Sequence, residues 1–174
     1  MTTQDATPSP PGMPQGVVVT PEPARVRLSP PGFHYYASDF LRAGKAVAEG
    51  APPFSPVAYY LFARSIELSI KAYLVVHRVS ERRLKSKQLG HNLEALLTEA
   101  IARDLLAHVP LSNGEQEEIR RTNRYYSSKV FEYFTFEATA FGYPHKPQLH
   151  VIGAAADTLV THLKQLCADA ANDV

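Results

Sequence analysis

The chain has 174 residues, 45% of them apolar, which suffices for one domain with a buried core, and its formal charge of +1 gives no global attraction to nucleic acid or acidic partners. Its single cysteine, Cys167, excludes an internal disulfide and a cysteine metal knuckle, and it fits a reducing compartment, with the cytoplasm as default. No run approaches the roughly 20 apolar residues of a membrane span, and no charged start leads into an apolar stretch of signal-peptide length, so neither membrane nor secretion is expected.

The N-terminal segment carries Pro at positions 8, 10, 11, 14, 21, 23, 30 and 31 with little apolar content. Such a segment cannot easily form a helix or offset its own ordering entropy, so residues 1–31 read as a Pro-rich mobile arm. Val17 to Thr20 carry the alternative of an edge strand. The domain proper is expected over 32–170.

From Phe33 the pattern turns helical. Phe33, Tyr36, Phe40, Ala43 and Val47 recur at steps of three and four, and Gly50 with Pro52 and Pro53 stops the run, predicting a helix over 33–49. Ser55 can cap a second helix, with Pro56 in its first turn, over 56–79. In it Leu61, Leu68 and Val75 form one stripe, and Phe62, Ile66, Ile70 and Tyr73 cover neighbouring angles. A helix apolar around most of its girth belongs in the middle of a bundle.

The one polar strip of that helix holds Arg64, Glu67, Lys71 and Arg78 on a shared face. It reads first as an ion-pair ladder at a solvated edge, with Glu67 and Lys71 as buried organisers of a partner contact as the alternative. A basic loop follows, with Arg78, Arg82, Arg83, Lys85 and Lys87 against Glu81 alone. Gly90 permits a turn, and His91 or Asn92 can cap a third helix, over 92–107, whose stripe is Leu93, Leu96, Leu97, Ala100, Ile101 and Leu105. Ser112 to Glu115 has the form of a capping box, so a fourth helix should run to about Ser128. The aromatic stretch from Lys129 to Pro147 is broken by Gly142, Pro144 and Pro147 and predicts an irregular connection packed on the bundle. A last helix over 149–168 follows from Leu149, Ile152, Ala155, Ala156, Leu159, Leu163 and Leu166. The expected fold is all-α, an up-and-down bundle of four to five helices.

Three features together resemble the HEPN superfamily (higher eukaryotes and prokaryotes nucleotide-binding): "ARSIELSIKAYL" with Glu67 and Lys71, the short basic linker, and "GHNLEALL" with Gly90 and His91, followed by "NRYY" and a final helix. The resemblance covers most of residues 33–168. It implies a four- or five-helix bundle, usually dimeric, whose relatives include metal-independent ribonucleases of toxin and defence systems as well as binding modules without catalysis. In the nucleases an Arg and a His spaced Arg-x(4 to 6)-His near the start of the last core helix hold the phosphate and move a proton. Here Arg27 with His34 and Arg103 with His108 match the spacing, a number that chance supplies in a chain with eleven Arg and seven His. Arg120, Arg121 and Arg124 stand in the expected region with no His following at that distance.

The reading of function is therefore a HEPN-like module, non-catalytic or degenerate, binding RNA, nucleotide or a protein partner. Arg82, Arg83, Lys85 and Lys87 with Arg120, Arg121, Arg124 and Tyr125 would form its phosphate-binding face, the Arg forks gripping oxyanions and Tyr125 stacking on a base. The bland alternative is solvated arginines balanced by Glu115, Glu117 and Glu118. His91 reads first as a cap and second as an acid or base. A competing hypothesis is a metal-independent ribonuclease toxin in which His91 or His108 replaces the missing His and an Arg among 120, 121 and 124 clamps the phosphate, Arg103 being a further catalytic candidate. A third is a purely structural interaction protein. The resemblance further implies a homodimer and a cognate antitoxin or nucleotidyltransferase partner. No metal is assigned to His145 and His150, no Gly-rich phosphate loop is present, and no cofactor is expected.

Overall fold

A computed structural model describes residues 29–50, 54–133 and 142–170. Among them are seven helices and no strand: α1 Pro30–Glu49, α2 Pro56–Val76, α3 Glu81–Leu84, α4 Leu93–Ile101, α5 Leu105–His108, α6 Asn113–Tyr126 and α7 Leu149–Asp169. The all-α expectation holds, with five longer helices and two single turns. None is long and apolar enough to cross a membrane. Most of the expected arm, with Val17–Thr20 and Arg27, lies outside the described residues, as do Phe134 and Phe136 of the aromatic stretch.

Helix α2 is the central rod. Every residue from Ser65 to Leu74 is buried, and α2 packs on α1 and α7 on one side and on α4 and α6 on the other. Ile66, Ile70 and Leu74 are fully enclosed, each stabilising the fold by about 1.5–3 kcal/mol relative to an exposed position. Phe62 inserts between α1 and α7 where two glycines make room. A Cβ on Gly44 would stand 2.8 Å from the Phe62 ring, and one on Gly153 would stand 3.3 Å away. The helices approach closely there because side chains are missing at those two positions.

Several boundaries differ from the expected ones. Helix α1 begins at Pro30 because Ser29 caps it, its hydroxyl accepting the Gly32 N–H at 3.2 Å, and prolines are favoured in a first turn whose N–H groups have no helical partner. Pro30 and Pro31 thus belong to the helix and not to an arm. Helix α2 ends at Val76, and Arg78, expected on its polar strip, lies beyond it in a left-handed conformation (φ 61°). The basic loop is partly helical, since Ser80 caps the turn α3 and Leu84 anchors it in the core. The expected third helix breaks into α4 and α5 at Asp104, whose φ of 62° cannot continue a right-handed helix. Helix α6 starts as expected, Ser112 and Glu115 forming the reciprocal capping box, and ends at Tyr126.

Candidate functional site

Of the strip read as a solvated ladder, Glu67 and Lys71 are buried, Arg64 is half-buried and Arg78 lies exposed beyond the helix. Glu67 has no exposed surface, and its two oxygens are fully engaged. Oε1 accepts from Arg64 Nη1 at 3.0 Å and from Lys71 Nζ at 2.6 Å. Oε2 lies 3.0 Å from His91 Nδ1 and also accepts the Tyr126 hydroxyl. Lys71 Nζ spends a second hydrogen on the Gly90 carbonyl at 2.7 Å. Because α4 and α6 close over this face of α2, i+3 and i+4 pairs that would be worth tenths of a kcal/mol in water become desolvated, charge-assisted bonds. The solvated reading therefore fails at Glu67 and Lys71, which are buried.

Burial alone would push the Glu67 carboxyl up, but the charges of Arg64 and Lys71, with hydrogen bonds from Lys71 and Tyr126, outweigh it and hold the group below the usual carboxylate range. Tyr126 moves the other way: burial first, then the Glu67 charge and hydrogen bond, raise its hydroxyl well above the ordinary tyrosine value, so it stays a donor. A carboxylate only accepts, so His91 Nδ1 carries the hydrogen that meets Glu67. The His91 side chain is 57% exposed.

His91 does not cap α4. Asn92 does, its Oδ1 accepting the Ala95 N–H at 3.0 Å. Asn123 of the "NRYY" segment braces that cap, accepting the Leu93 N–H at 2.8 Å and donating to Asn92 Oδ1 at 3.1 Å. The Gly90–His91–Asn92 corner is thus tied to α2 through Lys71 and Glu67 and to α6 through Asn123 and Tyr126. The sequence showed Asn123 and Tyr126 only as part of "NRYY", without these contacts; the available signal was their spacing from Ile119 along the inner face of α6.

The arginines of α6 face a different opening. Arg120, Arg121 and Arg124 line a cleft of about 510 Å³ with His145, Glu94 and Glu117. Arg121 is held by Glu118 at 3.1 Å, whereas Arg120 and Arg124 have no ion pair among the described residues. None of the loop cations lines this cleft. Arg83 reaches Glu99 at 3.4 Å, Lys85 pairs with Glu81, and Arg82 and Lys87 are exposed. The loop and α6 therefore do not share one binding wall. Nor is Tyr125 free to stack: its hydroxyl donates to the Pro144 carbonyl, and its ring lies 5.5 Å from Phe131 and 5.7 Å from Tyr143.

Arg103 and His108 lie beyond the C-terminal end of α4, at the other end from His91. Arg103 Nη1 pairs with Glu99 at 2.8 Å, and the His108 ring sits 5.9 Å from Tyr73. The elements thus define an all-helical bundle with a buried carboxylate network at one corner and an arginine-lined cleft on α6. Set against known proteins, the chain matches no family model, no curated protein and no solved structure.

Proposed function

We propose that the chain is a HEPN-like helical module that binds the phosphates of RNA or a nucleotide without turning them over, and that the α6 cleft is its binding face. The observation that carries this is the convergence of Arg120 and Arg124, one turn apart on α6, on a single opening with no carboxylate paired to either among the described residues. Such forks recognise phosphate oxygens through paired N–H bonds, and Arg121, steadied by Glu118, lies at the same wall. Glu94 and Glu117 in the lining limit the net attraction, which favours a ligand placed by geometry over a diffuse polyanion. The resemblance to the HEPN superfamily alone brings a homodimer in a toxin–antitoxin or defence setting, with an antitoxin or nucleotidyltransferase partner, and the cytoplasmic location rests on the single cysteine.

A second reading, metal-independent RNA cleavage, is favoured by one arrangement, the exposed His91 ring backed by Glu67 with Arg64 beside it. Incubating the purified chain with end-labelled RNA in excess chelator separates the two. A retarded complex with intact RNA supports the binding module. Cleavage that disappears in His91→Gln overturns it in favour of the nuclease, and neither binding nor cleavage removes both.

A further inference from the structure

We infer, on the basis of the phosphate-binding reading of the α6 cleft, that this cleft selects guanine nucleotides, the carboxylates of Glu94 and Glu117 receiving the N–H groups of the base while Arg120 and Arg124 hold the phosphate.

The lining holds two kinds of unpaired group. Arg120 and Arg124 have no ion pair among the described residues, and neither have Glu94 and Glu117. Glu117, Arg120 and Arg124 succeed one another at three- and four-residue steps on α6, which sets them on one stripe about 10 Å long. Glu94 joins the same lining from the first turn of α4, whose start is fixed beside α6 by the Leu93 N–H bond to Asn123 at 2.8 Å. A simple anion matches such a wall poorly, because the two carboxylates offset the charge of the two unpaired arginines. The fitting ligand has an anionic end and, away from it, N–H donors with no acceptor between them.

That requirement separates the bases. An ionised carboxylate only accepts hydrogen bonds, and its two oxygens accept side by side. Guanine presents adjacent N1–H and N2–H donors, adenine and cytosine place a ring acceptor beside the amino group, and the N3–H of uracil stands between two carbonyls. Guanine is therefore the base that meets a carboxylate with two donors at once. The cleft, about 510 Å³, has room for one nucleotide. His145 lines it from the segment after Gly142, which is tied to α6 where the Tyr125 hydroxyl donates to the Pro144 carbonyl. The His145 backbone takes a left-handed conformation (φ 56°), and its exposed imidazole supplies a flat surface on which the base can stack.

Isothermal titration of the full chain with GMP, AMP and inorganic phosphate tests this. GMP should bind roughly tenfold more tightly than AMP, the discrimination expected of one bidentate base contact. Glu94→Gln/Glu117→Gln, which changes two exposed side chains, should abolish the GMP preference while phosphate affinity stays or rises, since two negative charges leave the wall. Arg120→Ala/Arg124→Ala should weaken GMP and AMP by the same factor. Equal affinities for GMP and AMP, or a GMP preference that survives in Glu94→Gln/Glu117→Gln, overturn the guanine assignment and leave the phosphate-binding reading standing. A Glu94→Gln/Glu117→Gln variant that loses phosphate along with both nucleotides also overturns it, by giving the two carboxylates a structural role. GMP binding undiminished in Arg120→Ala/Arg124→Ala puts the nucleotide elsewhere and overturns it too. No saturable binding of either nucleotide overturns the assignment, and retardation of a short RNA in the same buffer then decides whether the phosphate-binding reading falls with it.

Discussion

Glu67 Oε2 and His91 Nδ1, from residues on α2 and just before α4, meet at 3.0 Å and fix the Gly90 corner against the central rod. Replacing Glu67 with Gln keeps the shape but leaves Lys71 and Arg64 with no carboxylate. Loss of one partner of a buried ion pair costs about 3–5 kcal/mol, so Glu67→Gln should lower the urea midpoint sharply with little change in m. A drop of only tenths of a kcal/mol would show the network to be solvated.

The same network sets the pH range of stability. Glu67 is held below its unfolded value of about 4.3, so its contribution is complete above that pH and is lost as pH falls towards the lower folded value. The Tyr126 hydroxyl is raised above about 10, so its contribution is complete below that pH and is lost as pH rises. Burial also lowers His77 and raises Cys167 to about 12, so urea midpoints should be flat only from roughly pH 7 to 8 and fall on both sides, with Glu67 adding to the acid limb below about pH 5 and Tyr126 to the alkaline limb above about pH 9. The acid fall should flatten in Glu67→Gln, and the alkaline fall should be smaller in Tyr126→Phe. Unchanged acid and alkaline limbs in those variants would contradict the assignment.

The central rod was legible because apolar residues cover most of α2, and the start of α6 because a capping box is a local signal. What lies across from a polar strip is not local. The spacing of Arg64, Glu67 and Lys71 puts them on one face, but only the return of the chain at Gly90 and the arrival of Tyr126 make that face an interior one. The break between α4 and α5 was hidden for a related reason. Ile101 and Leu105 continue the apolar stripe across Asp104, which adopts φ 62° without a glycine or proline to announce it. Arg120 and Arg124 were legible as candidates, whereas the separation of their cleft from the basic loop depends on how α3 folds back.

Asn123 tests the corner from the α6 side. Asn123→Ala leaves the Leu93 N–H, on a residue with no exposed surface, without its acceptor, at a cost of about 1–3 kcal/mol. Asn92→Ala removes the cap, about 1 kcal/mol, together with the acceptor of the Asn123 amide. Because Asn123 also bonds Asn92, the double variant should cost less than the sum, a coupling that denaturant unfolding of all four proteins measures.

Close packing of α1 on α2 predicts that Gly44→Ala is destabilising although alanine favours helices. The added Cβ would stand 2.8 Å from the Phe62 ring, and overpacking of this kind costs about 1–3 kcal/mol. Gly50→Ala, where a Cβ meets nothing within 4 Å, should change the melting temperature little. Equal effects at the two positions would refute the packing described for Phe62.

Salt dependence is the most direct measure of the phosphate-binding reading. The affinity of the chain for a short single-stranded RNA should fall linearly in a double-logarithmic plot against salt, and Arg120→Ala/Arg124→Ala should make the slope shallower by about 1.4, two phosphate contacts at about 0.7 each. The same slope in wild type and double variant, or no RNA binding at low salt, would contradict it.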